Sequence, residues 1–159
     1  MKQRRRGFTL VEIMIVVVII GLLATLALPA LARIKERSNV SRFANDLRIF
    51  SQGLETMMLE LGASPGDPGS GSLSGGHPDL DEYINEDTYR RPTSLGGVWD
   101  IDSADFGVTC VVGVDFGGSP SPEELASLAA VDTIIDDGDL ATGAFQAFEG
   151  GRRGYWLIE

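Results

Sequence analysis

Between Phe8 and Ala32 the chain runs for 25 residues with a single charged side chain, Glu12. At about 1.5 Å per helical residue, such a run spans roughly 37 Å, more than the ~30 Å hydrocarbon core of a bilayer. The segment therefore reads as a tilted membrane-spanning helix. Glu12 is the anomaly, because a carboxylate in hydrocarbon costs on the order of 2.5–3.5 kcal/mol even on insertion scales. A chain that keeps one there is expected to have a partner for it.

Charge is unevenly distributed along the chain. Of the net charge of −10, residues 1–7 contribute +4 through Lys2, Arg4, Arg5 and Arg6, and residues 8–61 are balanced. Residues 62–159 hold four Arg against eighteen Asp or Glu, or −14. An acidic part of this kind lacks the clustered Lys and Arg that phosphate contacts need, so nucleic acid is excluded as a partner. It suits a self-repelling surface facing water. Cys110 is the single cysteine, so no internal disulfide exists; in Val108-Thr109-Cys110-Val111-Val112 it reads as a small buried hydrophobe.

Three readings of the first 32 residues compete. A cleaved secretory signal would end at Ala30-Leu31-Ala32, but the apolar run exceeds the usual ~7–15 residues and contains Glu12. A plain single-span anchor explains the length and leaves Glu12 as an uncompensated cost. Its orientation is only mildly specified, since Arg33, Lys35 and Arg37 oppose the basic stub.

The third reading is a resemblance. The segment Lys2–Ala32 resembles the N-terminus of type IV pilin and type II secretion pseudopilin precursors: a short basic leader ending in Gly7, then Phe8, then Glu12 as fifth residue of the mature chain, with Gly21 and Pro29 further on. The resemblance implies cleavage between Gly7 and Phe8 by a prepilin peptidase, N-methylation of Phe8, and filament assembly through Glu12, Gly21 and Pro29. It implies a structural subunit rather than an enzyme. Its partners would be other pilins or pseudopilins, the peptidase, and an inner-membrane assembly platform with its ATPase. Its place would be the bacterial cytoplasmic membrane, single-pass with the N-terminus cytoplasmic and the head outside, then the filament. The lone Cys110 departs from adhesive pilins that close a head loop with a disulfide, and favours a secretion pseudopilin. The rival reading is a monomeric, membrane-anchored binding protein with an extracytoplasmic head.

The physics of the resemblance stands by itself. Cleavage after Gly7 would remove the leader charges and leave an amine at Phe8 with a reference pKa near 8, one helical turn from Glu12. That amine is able to pair with the carboxylate, and the resemblance implies a neighbouring subunit's amine as its partner. Gly21 and Pro29 weaken a helix by entropy and by the missing N–H, so the span can bend between them.

Beyond the span, Val40, Phe43, Leu47, Phe50, Leu54, Met57 and Leu61 recur at alternate spacings of 3 and 4, one face of a helix. Arg42, Asn45, Asp46, Arg48, Gln52 and Glu55 fall off it. One helix is thus predicted from Phe8 to Leu61, capped by Gly62 with Pro65 behind it. The expected division is a leader, 1–7; a membrane and polymerisation helix, 8–32; its amphipathic continuation, 33–61; a Gly/Pro/Ser-rich loop, 62–79; and an acidic α+β head, 80–159.

In the head, Asp79–Tyr89 predicts a short helix, Ser94–Ile101 a strand, Asp102–Asp105 a turn and Phe106–Phe116 a second, Val-rich strand. Ser121-Pro122-Glu123-Glu124 is a capping-box start for a helix to about Ile135. Ala144–Phe148 and Tyr155–Ile158 form a closing hairpin around Glu149-Gly150-Gly151-Arg152. The fold class is therefore α+β and pilin-like, the long helix packed on a small antiparallel sheet. Trp99, Tyr155 and Trp156 read as core or sheet-face aromatics. His77, alone in the loop, has no second His or Cys for a zinc site. No catalytic residue and no cofactor is expected. The acidic segment Asp132…Asp136-Asp137-Gly138-Asp139 is the one candidate ion site, and some pseudopilins of this kind carry Ca²⁺ in the head. Its spacing is not that of an EF-hand, so turn chemistry is the preferred reading, with Asp136, Asp137 and Asp139 as calcium candidates.

Overall fold

A computed structural model describes residues 8–103 and 108–158. The chain divides into two compact units, Met1–Arg37 and Ser38–Glu159. The first, as described, is the opening stretch of helix α1, Leu10–Leu61, which continues into the second. Pro29 sits inside this helix.

In the second unit the apolar stripe predicted from spacing is the buried face. Val40, Phe43, Leu47, Phe50, Leu54 and Met57 are all buried, whereas Leu61, at the last turn, is exposed. Gly62 ends the helix at φ +62°, a conformation costly for any residue with a Cβ, and its N–H bonds the carbonyl of Met58 at 2.9 Å.

The stripe packs on a four-stranded antiparallel sheet of order β1-β2-β4-β3. The strands are β1, Val98–Ser103; β2, Cys110–Asp115; β3, Phe145–Phe148; and β4, Arg153–Ile158. Phe43 stacks flat on Trp99 with centroids 4.9 Å apart, and Phe50 meets the edge of the same ring at 4.8 Å. Tyr89, Ile101, Val112, Val114, Leu128 and Phe145 complete the core. Each such side chain removed from water contributes roughly 1.5–3 kcal/mol, which is why a 3.6-period face and a sheet face find each other. Gly113 is required where β2 crosses β4, because a Cβ there would lie 1.9 Å from the carbonyl oxygen of Gly154.

Buried charge on the sheet is paired. Asp100 accepts hydrogen bonds from the hydroxyls of Tyr155 and, at 2.8 Å, Ser70. Asp115 accepts from Arg152 through two nitrogens, each at 3.2 Å, and Arg153 Nε lies 3.3 Å from it.

The head differs from expectation at several boundaries. Asp79–Tyr89 is two one-turn helices, α2 at Leu80–Tyr83 and α3 at Glu86–Tyr89. They are split because Ile84 is extended and Asn85 caps the second turn through Thr88 N–H at 2.9 Å. β1 starts at Val98, not Ser94, because Gly96 and Gly97 hold positive φ in a turn closed by Thr93. β1 runs through Asp102 to Ser103, which pairs with Cys110, so those two residues are strand where a turn was expected. The remaining turn residues, with Phe106 and Gly107 of the expected second strand, lie outside the described residues. Helix α4, Pro122–Ile135, carries the full capping box between Ser121 and Glu124. The closing hairpin forms as expected, turning through a 3₁₀ turn at Glu149–Gly151.

Residues 62–79 contain neither helix nor strand, yet they dock on the sheet. Gly71 N–H bonds the Trp99 carbonyl at 2.6 Å, and Ser103 donates to the Gly66 carbonyl at 2.6 Å. At the far side, Ala147 N–H bonds the Leu140 carbonyl at 2.9 Å.

Candidate functional site

The first candidate site is the start of α1. Within the first unit the apolar side chains find no cover: Phe8 is 80% exposed, Leu10 76% and Leu26 75%. By length and composition this helix is able to cross a membrane. Glu12 lies in its first turn. Its carboxylate accepts two hydrogen bonds from Thr9, one from the backbone N–H and one from the hydroxyl, each at 2.8 Å. In return Glu12 N–H donates to the Thr9 hydroxyl oxygen at 3.3 Å. This is a reciprocal capping box, with Thr9 before the first helical residue and Glu12 three positions later. It satisfies orphan donors at the positive end of the helix dipole and holds the acid with local donors.

Thr9 is the residue of this capping box that is absent from the site residues read from the sequence. Its signal was present, since Thr-x-x-Glu ahead of an apolar run is the capping-box pattern. The structure places Phe8 and Glu12 at this end, Pro29 and Gly21 farther along; a Cβ added at Gly21 would touch nothing within 4 Å. Gly7 lies outside the described residues.

The second candidate site is acidic and sits where α4 ends. Asp132, Asp136 and Asp137 bring one oxygen each within 4.8 Å of one another. Asp132 belongs to α4 rather than to a loop, and it is fully buried. Neither of its carboxylate oxygens meets a donor at hydrogen-bonding geometry among the described residues. Its neighbours are better served. Asp136 accepts from Phe145 N–H at 2.9 Å and from Ala144 N–H. Asp137 accepts from Asp139 N–H and the Thr142 hydroxyl, both at 2.8 Å. Those bonds, the Asp139 backbone first, hold Asp137 below the usual carboxylate range. Burial, then the charges of Asp137, Asp136 and Asp139, push the Asp132 carboxyl up, against a weaker downward pull from the nearby Gly138 N–H. Asp139 is not in the converging group; it accepts from Ala141 N–H at 3.1 Å and shapes the turn. A buried carboxylate with no well-formed hydrogen bond, beside two others, fits a hard divalent cation such as Ca²⁺, which takes oxygen ligands.

The remaining candidates are structural. Cys110 is buried in β2. His77 is half-buried in the loop, where its Nδ1 accepts from Asp79 N–H at 3.3 Å. Trp99 and Tyr155 are core residues, and Trp156 is half-buried beside them.

Comparison with known proteins bears on the first of these sites. Residues 2–28 match the family model of the prokaryotic N-terminal methylation motif. The chain is 41% identical over 63 residues to type II secretion system core protein G of Klebsiella pneumoniae, covering 40% of this chain and 45% of that one. It is 43% identical over 60 residues to a type IV major fimbrial protein FimA of Dichelobacter nodosus, covering 38% of each. In these two the match spans less than half of the relative. Another FimA of that organism is 31% identical over 157 residues, 94% of this chain and 90% of the relative. No solved structure matches.

Proposed function

The chain belongs to the type IV pilin and type II secretion pseudopilin family, and on that premise we propose that it is cut between Gly7 and Phe8 and polymerised through its N-terminal helix. The prepilin peptidase would make the cut and methylate Phe8. The inner-membrane platform and its ATPase would drive extraction, with Gly21 and Pro29 letting the helix bend as it leaves the bilayer. The heads would stand on the outer side of the cytoplasmic membrane and then along the fibre. Such a subunit works by assembly, not by catalysis.

The observation that carries this reading is Glu12: a carboxylate in an apolar helix, held by Thr9, one turn from the Gly7–Phe8 bond. Cleavage creates a cation within reach of that acid. Breaking a buried ion pair by removing one partner costs roughly 3–5 kcal/mol, enough to select the register of packing. Two measurements test the reading. N-terminal sequencing of the mature chain is expected to begin at methylated Phe8; a start at Arg33 would instead mark a secreted protein. Glu12→Ala is expected to insert in the membrane normally and form no filament. Normal filaments from that variant would leave the monomeric anchored binding protein as the better account.

A second reading concerns the head. Asp132, Asp136 and Asp137 would hold Ca²⁺, favoured by the lack of a well-formed hydrogen bond at either oxygen of the buried Asp132. The ion would neutralise three converging carboxylates and tie the end of α4 to the loop before β3. Adding Ca²⁺ to the full chain in detergent is expected to raise the melting temperature of the head, and a chelator to reverse it. An unchanged melting temperature would reduce the cluster to turn chemistry.

A further inference from the structure

A cleft of about 180 Å³ lies in the head between α1 and the segment that follows α3. Arg42 enters it from the helix and Arg91 from the opposite wall. Both are exposed, and neither guanidinium makes an ion pair or hydrogen bond among the described residues; the backbone N–H of Arg91 bonds the Thr88 carbonyl at 3.3 Å. The other described arginines of the head are engaged: Arg90 with Glu86, Arg152 and Arg153 with Asp115 and Glu149, and Arg48 with the Ile134 carbonyl. Residues 38–159 hold twenty-one acids against six Arg, so an uncommitted guanidinium is unusual there, and two share one cleft.

The cleft hydroxyls are already spent inward. Thr88 donates to Asn85, Ser94 to the Asn39 carbonyl at 2.7 Å, and Thr93 to the Gly96 carbonyl. The free charged donors on the wall are therefore the two guanidiniums. Asp46 is the one acid on the wall, so the cleft carries two positive charges against one negative. It asks for an acceptor with a single negative charge. Its volume is below the roughly 300–1,000 Å³ of a small-molecule site and suits one side chain. A carboxylate is the matching partner for a guanidinium, which grips it through paired N–H donors.

We propose that this cleft receives an Asp or Glu side chain from a second copy of the chain in the filament. The inference rests on the polymer reading above. A second copy fits because each copy presents both halves: one cationic cleft and an excess of exposed carboxylates. A contact between two different patches of identical subunits is heterologous, and when its rotation does not close it propagates as an open helix. The cleft would thus fix the rotation between adjacent heads, while the apolar helices supply cohesion.

The chain is well suited to a direct test, because its only lysines are Lys2 in the leader and Lys35. Arg42→Lys and Arg91→Lys keep the charge and introduce an amine at the cleft. Filaments of each variant, co-assembled from isotopically light and heavy copies, are treated with a zero-length carbodiimide and mapped by mass spectrometry. The expected product joins position 42 or 91 of one copy to an Asp or Glu of another. Links confined to Asp46 of the same copy, or to a different protein, overturn the proposal. In parallel, R42E/R91E is expected to lower filament yield about tenfold, equivalent to about 1.4 kcal/mol per contact. Its membrane level and head melting should stay unchanged. Undiminished yield, or a variant that melts early while R91K filaments show no link, counts against the cleft. A mature wild-type chain starting at Phe8 that forms no filament defeats the polymer reading and this one together, whereas filaments without the link defeat only this one.

Discussion

The Glu12 carboxylate and Thr9 cap one another across the first turn of α1, with both Thr9 donors 2.8 Å from one carboxylate oxygen. The pairing gives the acid a home before any second subunit arrives. Thr9→Val should remove the hydroxyl bonds and cost about 0.5–2 kcal/mol of local helix stability. Hydrogen exchange of the full chain in detergent should then speed up several-fold at residues 10–13, and Thr9→Ser should restore protection. Unchanged exchange in Thr9→Val would mean the box contributes nothing in an apolar solvent.

Phe43 carries the join between helix and sheet. Phe43→Ala empties the space above Trp99 and should destabilise the head by about 3–5 kcal/mol in chemical denaturation. The flat stack adds a specific term: a double-mutant cycle with Trp99→Leu should return a coupling of about 0.5–1.5 kcal/mol. Strict additivity would show that the rings share only buried area.

Asp132 predicts a pH signature. Its folded-state pKa is raised, by burial first and then by the charges of Asp137, Asp136 and Asp139. A raised carboxylate favours the folded state in acid and forfeits that contribution as pH climbs from the unfolded value, about 3.9, through the folded one. In chelator, Asp132→Asn should therefore melt above wild type at neutral pH, and the gap should close near pH ~4. With Ca²⁺ present the order should reverse, because the variant loses a ligand charge. A gap independent of pH would mean that Asp132 does not titrate with folding.

Cys110 should be chemically silent. Burial pushes its thiol up to about 12, with the Asp102 charge adding to the effect. Only the thiolate reacts, so a thiol reagent should leave the native chain unmodified at neutral pH and label it stoichiometrically in denaturant. Labelling should track unfolding. Rapid modification of the native chain would place Cys110 at the surface.

Much of the architecture was legible because it rests on periodicity. The 3–4 spacing from Val40 to Met57 marked the buried face, and Ser121 to Glu124 marked a helix start; both depend on neighbours in sequence. The strand starts were less legible. Val98 begins β1 because Gly96 and Gly97 adopt positive φ under tertiary constraint from Thr93, and Ile84 breaks a helix that its composition would allow. The ends of the candidate sites follow the same division. Gly7, Phe8 and Glu12 form a linear pattern, and Thr9 belonged to one that was passed over. Asp132 was in view as part of an acidic string, but its burial depends on how α4 seats against the sheet. The Arg42–Arg91 cleft joins residues far apart in sequence, and no spacing announces it.

The loop of residues 62–79 has a consequence beyond its own geometry. Through Gly71 it occupies the outer hydrogen-bonding side of β1 at Trp99, and Leu140 does the same for β3 at Ala147. An uncovered strand edge is a template on which another chain can add. Heads crowded at high local concentration along a fibre would meet that hazard continuously. By covering β1 with the glycine-rich segment and β3 with Leu140, the chain blunts both edges against strand addition and amyloid-like stacking.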